Sequence, residues 1–148
     1  MVKFYKVLKE QKLFNFSMIL TLFLVAIGGA IGSCLRFWLG WYFTYHTKTN
    51  SLLINYNSFP FATFFINFFG CFLAGVFFAV FNYHFQHHNL KTFILMGFLG
   101  GFTTFSAFSL DFLRLFLATQ YWQAIIYAFS SMFFSLLAIF IGYYLVKL

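Results

Sequence analysis

Four long apolar stretches dominate this sequence and restrict what the chain can fold into. They cover approximately residues 15–41, 59–83, 92–117 and 121–146. A helix needs about 20 mostly apolar residues to cross a bilayer, and backbone groups in lipid must hydrogen-bond within the protein. We therefore predict an all-α membrane protein with four transmembrane helices.

The composition agrees with a membrane environment. The chain is 63% hydrophobic and only 7% charged, whereas a soluble domain carries about 25% charged residues. The formal net charge is +7. Because the basic residues are spread over the ends of the apolar stretches, we interpret them as juxtamembrane charges and do not expect nucleic-acid binding.

A basic tail precedes the first apolar stretch, with lysines at positions 3, 6, 9 and 12. Such residues interact with anionic lipid headgroups. Apolar character then continues to about Trp41, well beyond the roughly 7–15 residues of a signal-peptide core. We therefore expect a retained first span, and divide the chain into a tail (1–13) and a four-helix transmembrane domain (14–148).

The segment "GFLGGFTTFSAFSLD", residues 97–111, combines glycines with hydroxyl residues inside the third stretch. Glycine has a weak helix propensity, and Ser and Thr hydroxyls compete for backbone hydrogen bonds. We predict that the third helix is broken at its centre. A break of this kind releases backbone carbonyls that can hold a cation.

Most polar residues within the stretches are neutral hydrogen-bond donors: Asn67 in the second, Thr103, Thr104, Ser106 and Ser109 in the third, and Tyr127, Ser131 and Ser135 in the fourth. The last three are spaced by four and share one helix face. Interhelical hydrogen bonding, at about 0.6 kcal/mol each, is the simplest explanation for any single hydroxyl. Together they are typical of a path that replaces the hydration shell of a small anion.

Aromatic and small residues accompany these donors. Phe105 and Phe108 lie three positions apart beside the hydroxyls, and the edge of an aromatic ring is electropositive. Core packing is the alternative in a chain with 28 phenylalanines. Two GxxxG pairs, Gly28 with Gly32 and Gly97 with Gly101, predict close helix packing.

Other reactive side chains give weaker signals. Cys34 and Cys71 lie in apolar stretches without a disulfide pattern. "HFQHH" at 84–88 is interpreted as an interfacial loop, with a metal site as the less favoured alternative. Carboxylates and histidines are missing from the middle of each stretch, which argues against a proton-coupled pump.

Three blocks now resemble the signature segments of the Fluc (CrcB) fluoride channel family. They are "GGAIGSCLRFWLG" at 28–40, "FPFATFFINFFGCFLAG" at 59–75 and the segment at 97–111, in the family's order. The resemblance covers nearly the whole chain from about Phe14. The third block, with its "GGxTTFS" pattern, is the most specific of the three.

The resemblance implies a fluoride-selective channel, with residues 14–148 as its channel domain. Family members are antiparallel dimers with two fluoride pores along the subunit interface. One structural sodium ion (Na+) at the twofold axis is held by carbonyls of the broken helix, here those of Gly100 and Thr103. The fluoride pathway implied for this chain comprises Asn67, Phe105, Ser106, Phe108, Tyr127, Ser131 and Ser135. Arg36 and Asp111 match vestibule or structural positions.

Departures from the family pattern leave alternatives open. Ala107 stands where Ser or Thr is usual, Asp111 replaces a glutamate, and the tail is longer and more basic than expected. The chain could be an assembly partner in a heterodimeric fluoride channel. A small multidrug-type exporter is disfavoured because that class needs an acid within a span, and the first span has none.

We therefore expect a passive channel in the bacterial plasma membrane that is not an enzyme and whose partners are fluoride, lipid and a second subunit. Without the tail, the basic residues nearly balance between the two sides, which suits dual insertion and a homodimer. The tail lysines favour a cytoplasmic N-terminus. Because a fixed orientation requires an oppositely oriented paralogous chain, homodimer and heterodimer remain open.

Overall fold

The structure, a computed structural model, describes residues 2–46 and 59–148, with side chains from Ser17 onward except those of Thr44 and His46. The polar loop predicted between the first two spans lies almost entirely outside this part of the chain, and so does Lys48. Within the described residues the chain is helical apart from short connections.

The elements are α1 (Val2–His46), α2 (Phe61–Tyr83), α3 (His88–Lys91), a π-helical segment (Thr92–Leu99), α4 (Gly100–Phe102), α5 (Phe105–Leu117) and α6 (Tyr121–Lys147). Four stretches are long and apolar enough to cross a membrane: Ser17–Phe43, Phe61–Tyr83, His88–Leu117 and Tyr121–Lys147. The prediction of four transmembrane helices is confirmed. The third span begins at His88, earlier than predicted, because residues 88–91 are helical.

The first span and the basic tail share one helix. α1 is 45 residues long and runs without interruption from Val2 into the apolar span, which begins at Ser17. From Val2 onward the tail is therefore a helical continuation of the span. The proposed boundary between residues 13 and 14 stays a prediction.

The third span is interrupted in the middle, as predicted. Thr103 (φ −82°, ψ 155°) and Thr104 (φ −153°, ψ 125°) have extended backbones and separate α4 from α5. Upstream, Thr92–Leu99 is π-helical, a form that is usually limited to single turns and is frequent at functional sites. The sequence did not predict this segment, because its apolar run has no residue pattern that distinguishes a π-helix from an α-helix.

Glycines bring the spans close together in two pairs. α2 packs along α6, and α1 packs along the first half of the third span. A Cβ atom at Gly75 would overlap the carbonyl oxygen of Ile139, and one at Gly142 would overlap that of Phe72. These two glycines let the backbones of α2 and α6 touch, and neither belongs to the GxxxG pairs predicted from the sequence.

The predicted GxxxG pairs form the other close contact. A Cβ at Gly28 would clash with the backbone around Gly97, and one at Gly32 with the carbonyl oxygen of Phe98. Gly101 lies equally close to the backbone of Gly29. The two motifs therefore face each other, as expected for small residues in membrane helices.

The described cysteines and histidines form no metal-binding cluster. Both cysteines are free, with Cys34 exposed on the surface of the chain and Cys71 half-buried. His84, His87 and His88 are exposed. Among the described residues, no three metal-binding His, Cys, Asp or Glu side chains come together.

Candidate functional site

The site is organised around the break between α4 and α5. Thr104 caps the start of α5, because its hydroxyl oxygen accepts a hydrogen bond from the amide of Ala107 at 3.2 Å. The Thr103 hydroxyl donates back to the carbonyl of Leu99 at 2.9 Å. The Thr104 hydroxyl thus pairs an amide that a continuous helix would pair internally. The Leu99 carbonyl also keeps its helical donor, the Thr103 amide, at 2.9 Å.

Asn67 of α2 holds the break from one side. Its Nδ2 donates to the Thr104 carbonyl at 3.0 Å, and its Oδ1 accepts from the Thr104 amide at 2.9 Å. Gly70, on the same helix face, leaves room for the Thr103 side chain, which a Cβ would overlap. The side chain predicted to line the pore therefore also fixes the backbone conformation of the break.

α1 holds the break from another side. Arg36 donates from Nε to the carbonyl oxygen of Gly101 at 3.1 Å, and the Ser33 hydroxyl donates to the same oxygen at 3.4 Å. Arg36, which was expected at a vestibule or structural position, therefore lies at the broken helix. Ser33 was missed, although it lies three residues before Arg36 on one helix face.

A groove of about 220 Å³ opens beside the break. Its lining residues come from α2, the third span and α6: Asn67, Cys71, Thr103, Thr104, Phe105, Phe108, Ser131, Met132 and Ser135. The structure thus brings together five of the seven predicted pathway residues. It adds Cys71, which lies one helical turn after Asn67, and Met132.

The aromatic residues form a chain of ring contacts along this groove. The ring centroids of Phe105 and Phe108 are 5.3 Å apart, and those of Phe108 and Tyr127 are also 5.3 Å apart. Phe105 is 75% exposed in the single chain, whereas Tyr127 is fully buried. The rings therefore lead from the open side of the groove towards the interior of the subunit.

The polar face of α6 runs alongside. Ser131 is 5% exposed, and its hydroxyl has no hydrogen-bond partner within the described part of the chain. Ser135 is half-buried. Ser106, another predicted pathway residue, lies instead at the exposed side of the break, where its hydroxyl is 3.0 Å from that of Thr104.

Asp111 forms a separate polar cluster. Its carboxylate accepts a hydrogen bond from the Thr63 hydroxyl at 2.6 Å and one from the Tyr127 hydroxyl at 3.4 Å. Arg114 lies 3.6 Å from its other oxygen. Tyr127 therefore connects this cluster to the rings of the groove. Thr63 was missed, although it precedes Asn67 by one helical turn on α2.

A family model described as "CrcB-like protein, Camphor Resistance (CrcB)" matches residues 23–143. A protein of Azobacteroides pseudotrichonymphae genomovar. CFP2, named "Fluoride-specific ion channel FluC", is 37% identical over 134 residues, which cover 88% of this chain and 98% of the relative. A protein of the same name from Helicobacter pylori (strain G27) is 37% identical over 122 residues, covering 82% of this chain and 89% of the relative.

A third relative with that name, from Rhizobium etli (strain ATCC 51251 / DSM 11541 / JCM 21823 / NBRC 15573 / CFN 42), is 41% identical over 120 residues, covering 80% of this chain and 90% of its own length. The family model's match, residues 23–143, reaches all four transmembrane spans and both sides of the break. On these grounds the chain belongs to the CrcB family.

Proposed function

We propose that this chain is a subunit of a fluoride-selective channel that lets fluoride leave the cytoplasm passively after entry as neutral HF. The observation that carries the proposal is the groove at the helix break, where the amide of Asn67 and the hydroxyl of Ser131 lie with the Phe105 and Phe108 rings. The printed name of the relatives supports fluoride as the ion.

The chemistry of the lining suits a small anion. The described residues that line the groove carry no formal charge. Amide and hydroxyl donors can replace the hydration shell of fluoride, while the electropositive ring edges attract it without a full positive charge. Because conduction requires that an ion also leave its sites, a neutral lining is better suited to permeation than a cluster of lysines or arginines.

The function requires a second subunit in our proposal. Phe105 and Ser106 are exposed beside the break, in the middle of a span where lipid offers no hydrogen bonds. An antiparallel partner packed on this side would cover the polar break and close the open groove. The partner is a second copy of this chain or a paralogous chain.

We further propose a structural sodium ion at the subunit interface, held by the carbonyls of Gly100 and Thr103. The donors described at the break are directed to the carbonyls of Leu99, Gly101 and Thr104. Carbonyl oxygens at the carboxyl end of a half-helix carry partial negative charge and are suitable ligands for sodium. The ion would compensate that charge and take no part in a chemical reaction.

The setting is a membrane. With four spans long enough to cross a bilayer and bacterial relatives, the protein is a multi-pass protein of a bacterial plasma membrane. The proposed transport is passive and includes no catalytic step.

Growth of a bacterium that lacks its own fluoride channel tests the proposal in cells. Expression of this chain alone should restore growth in fluoride, and expression of an Asn67→Leu variant should restore it much less. Equal sensitivity with and without the chain, at matched membrane levels, would contradict a self-sufficient channel and favour the assembly-partner alternative.

A further inference from the structure

Three residues of α1 meet the break at one point. Gly29, Ser33 and Arg36 are spaced by four and three positions, so they lie on one face of α1. Gly101 packs so closely on Gly29 that a Cβ would overlap the Gly29 carbonyl oxygen. This contact brings the Gly101 carbonyl within 3.1 Å of Arg36 Nε and 3.4 Å of the Ser33 hydroxyl.

Leaving the Gly101 carbonyl without a hydrogen bond would be energetically unfavourable. It belongs to the last turn before the break, where carbonyls lose their helical donors and concentrate the negative end of the helix dipole. A guanidinium group offers a charge-assisted hydrogen bond at this position, roughly twice as strong as a neutral one. Arg36 therefore acts as a cationic cap on the first half of the third span.

The cap has a consequence for the neighbouring peptide group. Gly100 and Gly101 are adjacent, and glycine has the least restricted backbone of all residues. The carbonyl of Gly100 belongs to the peptide unit that ends at Gly101. Holding Gly101 in place, through its packing on Gly29 and its bonded carbonyl, therefore limits the rotation of the peptide unit that carries the Gly100 carbonyl. Gly100 itself is exposed in the chain.

We infer that Arg36, assisted by Ser33, is a positioning residue that pre-organises the Gly100 carbonyl for the sodium ion. The inference rests on the proposed sodium site. In this inference Arg36 acts by the geometry of its hydrogen bond to the break. The alternative is that the positive charge of Arg36 attracts fluoride. Lysine separates the two roles, because an ammonium group keeps the charge but lacks the planar fork of the guanidinium.

The test is the thermal unfolding temperature of the full-length protein in detergent, measured against sodium concentration. N-methylglucamine keeps the ionic strength constant, so screening does not change. For the unmodified protein the melting temperature should rise with sodium and saturate. The matched control is Lys147→Gln, which removes a positive charge at the end of α6, and its sodium dependence should equal that of the unmodified protein.

Arg36→Lys should move the half-saturating sodium concentration upward by about tenfold, the loss expected for one charge-assisted hydrogen bond. Ser33→Ala should move it in the same direction by a smaller factor, and it keeps the test informative if Arg36→Lys does not fold. In liposomes, fluoride efflux through Arg36→Lys should recover when sodium is raised, which a defect in the fluoride path itself would not do.

The outcomes separate the two proposals. A melting temperature of the unmodified protein that ignores sodium would refute the sodium site and with it this inference. If that temperature does respond, an unchanged half-saturating concentration in both variants would overturn the role of Arg36 alone. Tighter sodium binding in Arg36→Lys would also overturn it.

Discussion

The hydroxyl group of Ser131 is buried, with the residue 5% exposed, and has no hydrogen-bond partner among the described residues. A buried polar group without a partner destabilises a fold by about 1–3 kcal/mol. It nevertheless lines the groove together with Asn67 and Phe108. In the proposed channel, this hydroxyl would be available to donate a hydrogen bond to a permeating anion.

Replacing Ser131 with alanine should therefore separate stability from transport. We expect the free energy of unfolding to stay the same or increase slightly, because the lost hydroxyl has no partner to leave unpaired. Fluoride flux should fall about tenfold, since a hydrogen bond to a charged group contributes about 1.5 kcal/mol or more. Ser130→Ala is the control: its hydroxyl donates to the Tyr127 carbonyl at 3.3 Å, beside the polar face. Equal flux in both variants would remove Ser131 from the path.

The ring pair gives a second test at the level of residues. Phe105→Ile and Phe108→Ile keep hydrophobic bulk and remove the electropositive ring edge, so each should lower fluoride flux by about tenfold. Phe116→Ile, in the same helix and 49% exposed, controls for general effects of losing a ring. Flux is measured with a fluoride electrode. Normal flux in both pore variants would assign the pair to packing.

At the level of elements, two glycines hold α2 and α6 in backbone contact. A Cβ at Gly75 would overlap the Ile139 carbonyl, whereas a Cβ at Gly40 in α1 would meet no described atom within 4 Å outside the backbone of its own helix. Gly75→Ala should therefore destabilise the protein by about 1–3 kcal/mol, as expected for overpacking. Gly40→Ala should leave stability unchanged or raise it by up to about 1 kcal/mol. Similar melting temperatures for the two variants would contradict the close packing of α2 on α6.

The sequence predicts local features of the helices but not the features that depend on packing between them. Spans follow from apolar length, and the break follows from glycines beside hydroxyls, because both are local properties of the chain. The π-helical segment Thr92–Leu99 and the contact of Gly75 with α6 depend on how neighbouring helices pack. No single stretch of sequence reports that packing.

In the candidate site, individual lining residues were predicted from the sequence, but a contact between distant parts of the chain was not. Asn67, Phe105 and Phe108 were predicted as pathway residues and line the groove. The pairing of Ser33 and Arg36 with the Gly101 carbonyl was not predicted, because it joins residues more than sixty positions apart. Helical spacing puts Ser33 and Arg36 on one face of α1. Only the fold shows that this face contacts the Gly101 carbonyl.

The whole molecule depends on how the chain inserts into the membrane. Lys91, Lys147 and the tail lysines lie on the side of the N-terminus if all four spans cross the bilayer. Arg36 and Arg114 would lie on the other side, but the Nε of Arg36 binds the carbonyl of Gly101 at the break, in the middle of the third span. Arg36 is therefore a weak topology signal, and the tail lysines still predict a cytoplasmic N-terminus.

Cysteine labelling measures this orientation directly. In a chain with Cys34→Ala and Cys71→Ala, Ser51→Cys should be labelled mainly from outside the cell. At about 1 kcal/mol for each basic residue near an anionic surface, the four tail lysines should bias insertion strongly. Replacing them with glutamine should shift labelling towards both sides. Even labelling in the unmodified tail would favour a dual-topology homodimer.

Anion efflux from liposomes that contain only this chain measures whether the groove at the broken helix is a path for fluoride. Electrodes record fluoride and chloride after a potassium ionophore is added. The ionophore lets potassium leave together with the anion, so that no opposing membrane potential builds up. We predict rapid fluoride release with chloride release close to that of empty liposomes. Equal release of the two anions would contradict a selective path, and release of neither would contradict a self-sufficient one.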